Sequence, residues 1–137
     1  FILLLMNIKS SKELVDGALK EIKTLEPKEV KDLDNVNQCT LIDIRDIREL
    51  LRDGTIKGSH HIPRGMLEFW LDPQSQYYDS SKFSEKKKLI LFCAAGMRSA
   101  LATKTLKDMG YKNIAHVKGG FSSLVSEGFE VTIKEKK

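Results

Sequence analysis

Disulfide and metal chemistry have little to work with in this chain. It holds two cysteines, Cys39 and Cys93, and three histidines, His60, His61 and His116. Two thiols are too few for a disulfide scaffold. The histidines show no Cys or acidic spacing that matches a metal site, so no metal is expected. Proline is scarce, with three residues, and no Pro/Gly/Ser-rich tract divides the chain. One domain is therefore expected. No apolar run approaches the ~20 residues that a membrane span needs. Phe1–Met6 is apolar but short, and it lacks the basic start and small-residue cleavage site of a signal peptide. It is set outside the fold. Free thiols suit a reducing, cytoplasmic compartment.

Charge of one sign is also missing. The 23 basic and 19 acidic residues leave a net charge of +4. Lys86–Lys88 and the tail Lys134–Lys137 are the dense basic spots, and both read as solvated. No basic face with interleaved aromatics is visible, so neither nucleic acid nor membrane is an expected partner. Trp70, Phe69, Tyr77 and Tyr78 read as core or lid packing over a sheet edge.

What is present is an alternation of elements. Ser10 or Ser11 caps a helix to about Ile22, with Leu14, Ala18 and Ile22 on one face. A short strand at Ile22–Leu25 precedes a helix opened by Pro27 and running to about Leu33. Thr40–Ile44 is a buried strand. Asp46–Arg52 is a short helix stopped at Asp53-Gly54. Gly58–Pro63 reads as loop and Gly65–Trp70 as a short helix. Leu89–Phe92 is the central strand. Ser99–Met109 is helical, with Ala102, Leu106 and Met109 on one face, and Gly110 stops it. Ile114–Val117 is the last strand, and Gly119-Gly120 turns into a helix over Phe121–Glu127. Strands alternating with helices argue a parallel sheet covered on both faces, an α/β/α arrangement. The expected divisions are 1–21 (apolar segment and flanking helix), 22–133 (the domain) and 134–137 (basic tail).

The chemistry concentrates after the central strand, in Cys93-Ala94-Ala95-Gly96-Met97-Arg98-Ser99. Ligand sites of parallel sheets form beyond the carboxyl ends of the strands, where Cys93 falls. Ala94, Ala95 and Gly96 leave inward-facing amides unobstructed, and Gly96 accepts positive φ. The following helix aims its N-terminus at the same point, so negative charge on the sulfur is favoured. Cys93 is the candidate nucleophile. Read without its setting, it is equally a small buried hydrophobe. Arg98 is expected to close one side of the loop and attract an anion. Ser99 hydrogen-bonds in the loop or caps the helix. Met97 lines the mouth. Asp43 and Arg45 either orient the loop through charged hydrogen bonds or form a structural ion pair. Cys39 reads as packing or, less simply, as a resolving thiol. His60 or His61 is a candidate general base.

These residues resemble the rhodanese family. The resemblance spans about Ile22 to Val131 and rests on an ordered set. That set is Leu41–Arg45, Gly58–Pro63, Cys93–Ser99, Gly119-Gly120-Phe121 and Gly128–Val131. His61–Phe69 is similar to one bacterial branch. The resemblance implies a three-layer fold on a mainly parallel sheet of about five strands. It implies that Cys93 takes sulfane sulfur from a thiosulfate-like anion as a persulfide and passes it to cyanide or a thiol. The loop amides would stabilise the anionic sulfur, with no metal or organic cofactor. Alternatives are a protein-to-protein sulfur relay and a non-catalytic binding module. Family members resemble Cys-x4-Arg, whereas related phosphatases and arsenate reductases use Cys-x5-Arg. Here the interior is four residues, Ala94 to Met97. Two departures stand out. Leu124 lies where an aromatic is common, and Gly58-Ser59-His60-His61 replaces a Gly-His pattern.

Overall fold

Alternating side chains on the central strand divide the core in two. The structure, a computed structural model, describes residues 7–134. Phe1–Met6 and the last three tail residues lie outside that range. Strand β5 (Lys88–Phe92) runs between β2 (Cys39–Asp43) and β6 (Ile114–Val117), with β1 (Thr24–Leu25) and β4 (His60–His61) at the edges. The order is β1-β6-β5-β2-β4, and every pairing is parallel. Leu89 and Leu91 join Ile42, Ile44 and Leu106 in one core, while Ile90 and Phe92 join Leu41, Val30 and Leu124 in the other. The period of two along a strand produces this split. A run without polar residues is what two covered faces require.

The helices follow local signals. Ser10 caps α1 (Ser11–Glu21) by accepting from the Glu13 amide at 3.0 Å. Glu26 and Glu29 form the capping box of α2 (Pro27–Asn35), with Pro27 in its first turn. Asp46 and Glu49 do the same for α3 (Ile47–Asp53). Short helices α4 (Leu67–Trp70) and α5 (Ser80–Phe83) follow, then α6 (Met97–Met109) and α7 (Gly120–Ser126).

Several expectations change. Helix α1 buries Val15 and Ala18 against Ala100, while Leu14 is exposed. With adjacent apolar residues at 14 and 15, spacing does not decide which one faces inward. Met109 is likewise exposed, and Ala102 and Leu106 carry the buried face of α6. The Gly58–Pro63 loop contains strand β4, whose histidines pair in register with Ile42 and Asp43. An edge strand of two residues has no periodicity to read. Helix α5, capped by Asp79, was not anticipated, nor was the antiparallel ladder of β3 (Thr55–Ile56) with β7 (Val131–Thr132). Trp70 and Tyr78 pack on the core, whereas Phe69 and Tyr77 are exposed. Among the described residues no helix is long and apolar enough to cross a membrane.

Candidate active site

Strand β5 ends at a sulfur. Cys93 is 1% exposed and follows Phe92 directly. Its Sγ receives the Gly96 amide at 3.1 Å and the Ser99 amide at 3.3 Å, with Ser99 Oγ at 3.5 Å. Gly96, at φ 106°, is the N-cap of α6 and supplies no capping side chain. The sulfur therefore takes the place of a cap, satisfying amides that the helix leaves without partners. Helix α6 has 13 residues, long enough for its dipole to favour negative charge on that sulfur. It begins at Met97, two residues earlier than the spacing suggested, which puts Ser99 within its first turn.

The loop leans on backbone from the next crossover. The Phe121 amide donates to the Cys93 carbonyl at 2.7 Å. A Cβ on Gly120, at φ 62°, would stand 2.8 Å from the Ala94 carbonyl oxygen. Glycine is required there because two backbones touch.

Arg98 stands beside the loop, where it lines the cleft over Cys93, and it is also paired. Its guanidinium donates to both carboxylate oxygens of Glu49, each at 2.9 Å. This pair pulls the Glu49 carboxyl down to about 2. Glu49 also accepts the Asp46 amide at 3.0 Å, so the start of α3 fixes it in place. Arg98 thus clamps the loop to α3, and its charge is neutralised. Sequence reasoning missed Glu49. The capping box at Asp46 was readable, but its second role was not.

It also missed His116. Ser99 Oγ lies 2.9 Å from His116 Nδ1, and His116 Nε2 lies 2.9 Å from Thr24 Oγ1. Burial pushes His116 down to about 4, so the ring is neutral at pH 7. With an anionic sulfur, one direction satisfies the whole chain. Thr24 donates to Nε2, Nδ1–H donates to Ser99 Oγ, and the Ser99 hydroxyl donates to sulfur. His116 reaches this spot from β6, three positions ahead of the Gly119-Gly120 turn.

A cleft of about 320 Å³ opens over the loop. Cys93, Ala94 and Ala95 line its base, Met97, Arg98 and Leu101 of α6 one wall, and Ser11 and Val15 of α1 the other.

The family comparison agrees with this geometry. The rhodanese-like domain model matches residues 26–127. The chain belongs to the rhodanese-like family. It is 32% identical over 103 residues to mouse thiosulfate sulfurtransferase/rhodanese-like domain-containing protein 3, covering 72% of this chain and 66% of that protein. It is 30% identical over 128 residues to a Prochlorococcus marinus tRNA uridine(34) hydroxylase, covering 84% of this chain and 39% of that protein. The chain thus spans less than two thirds of either relative. Among solved structures, it is similar to a Rhodopseudomonas palustris protein of unknown function described as a possible tyrosine phosphatase. The TM-score is 0.83 at 44% identity, covering 90% of this chain and 95% of that one. The Wolinella succinogenes polysulfide-sulfur transferase matches with TM-score 0.71 and 33% identity, covering 90% and 88% of the two chains.

Within this rhodanese-like domain the remaining expected residues sit apart from the sulfur. Asp43 and Arg45 are fully buried and paired at 2.9 Å. Asp43 also accepts from Thr55 Oγ1 at 2.7 Å, and Arg45 donates to the Gly54 carbonyl at 2.7 Å. None of these bonds reaches the loop, so direct orientation by charged hydrogen bonds is not what the pair does. Its link is indirect: the Arg45 guanidinium lies 4.1 Å over the Phe121 ring, and Phe121 holds Cys93. His60 packs edge-on to Phe83 at 5.3 Å, and His61 Nε2 meets the Arg45 carbonyl at 2.7 Å. Cys39 pairs in register with Lys88, at the far end of β5 from Cys93. Five strand residues put about 16 Å between them. Burial pushes the Cys39 thiol up to about 11. It is a packing residue, and a resolving role is unsupported. Leu124, where an aromatic is common, fills the second core. Among the described residues no group of three or more His, Cys, Asp or Glu is placed to hold a metal ion.

Proposed function

We propose that this protein is a sulfurtransferase in which Cys93 carries the transferred sulfur. The Cys93 thiolate attacks the outer sulfur of a donor such as thiosulfate. A Cys93 S–S bond forms, the donor S–S bond breaks, and sulfite leaves with the electron pair. A cyanide or thiol nucleophile then takes the outer sulfur, giving thiocyanate or a new persulfide and restoring the thiolate. The observation that carries this reading is the amide pair on Sγ, from Gly96 at 3.1 Å and Ser99 at 3.3 Å. Those donors are oriented before reaction, which is how a site stabilises anionic sulfur without reorganising.

A phosphatase reading comes from the Rhodopseudomonas palustris neighbour. Phosphate transfer needs a guanidinium turned to the oxyanion. Arg98 spends its fork on Glu49 instead, at 2.9 Å twice. A relay reading, with a protein as donor, uses the same cysteine. The test is thiocyanate production from cyanide with thiosulfate or an organic thiosulfonate, beside p-nitrophenyl phosphate hydrolysis. Turnover of sulfur donors that Cys93→Ser abolishes supports the proposal. Turnover of the phosphate ester alone refutes it. Loading of Cys93 by a cysteine desulfurase alone moves the reading to relay.

A further inference from the structure

A line of polar side chains leads from the buried sulfur to the surface. Cys93 is 1% exposed, Ser99 0% and His116 2%, whereas Thr24 at the sheet edge is exposed. Cys93 Sγ lies 3.5 Å from Ser99 Oγ, Ser99 Oγ 2.9 Å from His116 Nδ1, and His116 Nε2 2.9 Å from Thr24 Oγ1. The contacts draw on the loop after β5, the first turn of α6, then β6 and β1. Thr24 pairs in register with His116, which sets the outer contact. It precedes residue 26, where the family model begins.

The ring's partners set it apart from an ordinary core histidine. A backbone carbonyl or amide on either nitrogen would lock one tautomer. Both partners here are hydroxyls, which donate or accept. Either neutral tautomer is therefore satisfied in place. Burial holds the ring at about 4, so at pH 7 it keeps one N–H and one lone pair. An imidazolium, with two N–H groups, could not do this. The charged groups around the sulfur are Arg98 of α6, Glu49 of α3 and Asp43 of β2, and the ring bonds instead to Ser99 and Thr24. The charge on Cys93 is what remains to choose the tautomer.

We infer that Thr24, His116 and Ser99 form a proton relay to Cys93 whose direction reverses with the charge on the sulfur. The inference deepens the sulfurtransferase reading, on which it rests for the use made of the thiolate. With a neutral thiol, S–H donates to Ser99 Oγ, the Ser99 hydroxyl donates to Nδ1, and Nε2–H donates to Thr24. On ionisation each proton moves one place outward. The S–H bond breaks and its electron pair stays on sulfur. That proton forms the new Ser99 O–H, and the old Ser99 proton goes to Nδ1. The Nε2 proton goes to Thr24, whose own proton passes to water. Nothing is oxidised or reduced, and His116 is neutral before and after. The Ser99 hydroxyl is left donating to the thiolate, a charge-assisted bond. His116 is a positioning residue that acts through Ser99.

The experiment is ¹⁵N NMR of the His116 ring in the full chain, beside ultraviolet absorbance of the Cys93 thiolate. The absorbance is read as the difference from Cys93→Ala, which cancels Cys39. Where the thiolate reaches its plateau, the wild-type ring should carry its proton on Nδ1. In Cys93→Ala at the same pH, with no anion to accept from Ser99, the proton should sit on Nε2. Adding Thr24→Val to Cys93→Ala takes the acceptor from Nε2–H, so that tautomer should lose population, and Thr24→Ser in its place should keep it. Ser99→Ala should move the thiolate midpoint upward by about one unit, and with it the acid limb of kcat/KM for a thiosulfate or thiosulfonate donor. One tautomer shared by wild type and Cys93→Ala, or an unmoved midpoint in Ser99→Ala, overturns the inference. If Cys93→Ala fails to fold, Ser99→Ala carries the test, its absorbance read against wild type. Intact mass after donor treatment separates the two levels. A loaded Cys93 beside a tautomer that ignores the sulfur removes only the relay. A tautomer that follows the thiolate in a chain no donor loads removes the sulfurtransferase reading and leaves the relay.

Discussion

Replacing Glu49 by Gln tests whether Arg98 clamps the loop. The substitution keeps shape and one acceptor but removes the charge that two guanidinium nitrogens meet at 2.9 Å each. Pairing holds the Glu49 carboxyl at about 2, against an ordinary value of 4.5. Taken at face value that difference is worth about 3 kcal/mol. Arg98 is 44% exposed, so solvent screens the pair, and Gln keeps a hydrogen bond. A loss of about 1–2 kcal/mol is the reasoned figure. For a chain of this size that lowers Tm by roughly 3–8 °C. The pH dependence carries a sign. A carboxyl depressed in the folded state contributes fully above its unfolded value near 4.5 and loses that contribution as pH falls towards about 2. The gap between wild type and Glu49→Gln should therefore be full at pH 6 and narrow steadily below pH 4.5. Thermal melts at pH 6, 4 and 3 are the assay. Equal Tm values at pH 6, or a gap that does not change on acidification, refute the clamp.

Three further outcomes follow from the same geometry. His116 is held at about 4 by burial, below its ordinary 6.5, so the unfolded chain binds a proton first. Stability should fall by up to about 3 kcal/mol as pH drops from 6.5 to 4. Urea titrations at pH 7.5 and 4.5 should show that loss in the wild type and a clearly smaller one in His116→Gln; parallel losses contradict it. Gly120→Ala places a methyl 2.8 Å from the Ala94 carbonyl oxygen at a positive φ. Neither backbone can yield cheaply, so a loss of about 2–4 kcal/mol is expected, and an unchanged urea midpoint counts against the packing described. Arg45→Met leaves Asp43 charged and buried, at a cost of about 3–5 kcal/mol. The double replacement Asp43→Asn with Arg45→Met should be milder in the same denaturation assay, and a double variant no milder than the single one contradicts the ion-pair account.

Sequence pattern carried the sheet because β2 and β5 are long enough to show it. Leu89–Phe92 is an apolar run, and Leu41, Ile42 and Ile44 are apolar around Asp43, a pattern that two covered faces explain. The strands that went unread, β3, β4 and β7, have two residues each, and pairing partners rather than periodicity create them. Helix faces were misjudged where two apolar residues adjoin, as at Leu14 and Val15. The site shows the same division. Cys93, Gly96 and Ser99 were legible because loop geometry is local to the chain. Glu49 and His116 were not, since each acts on the loop from another element, one across α3 and one from β6. The pairing of Arg98 was not legible, because its partner lies 49 positions away.

The most direct test of the account is the intact mass of reduced protein after treatment with a sulfane-sulfur donor, beside Cys93→Ala. The account requires one added sulfur on the wild type, absent from the variant and removed by cyanide. Sulfur retained in Cys93→Ala, or none on the wild type with thiosulfate, an organic thiosulfonate or a desulfurase as donor, would contradict it.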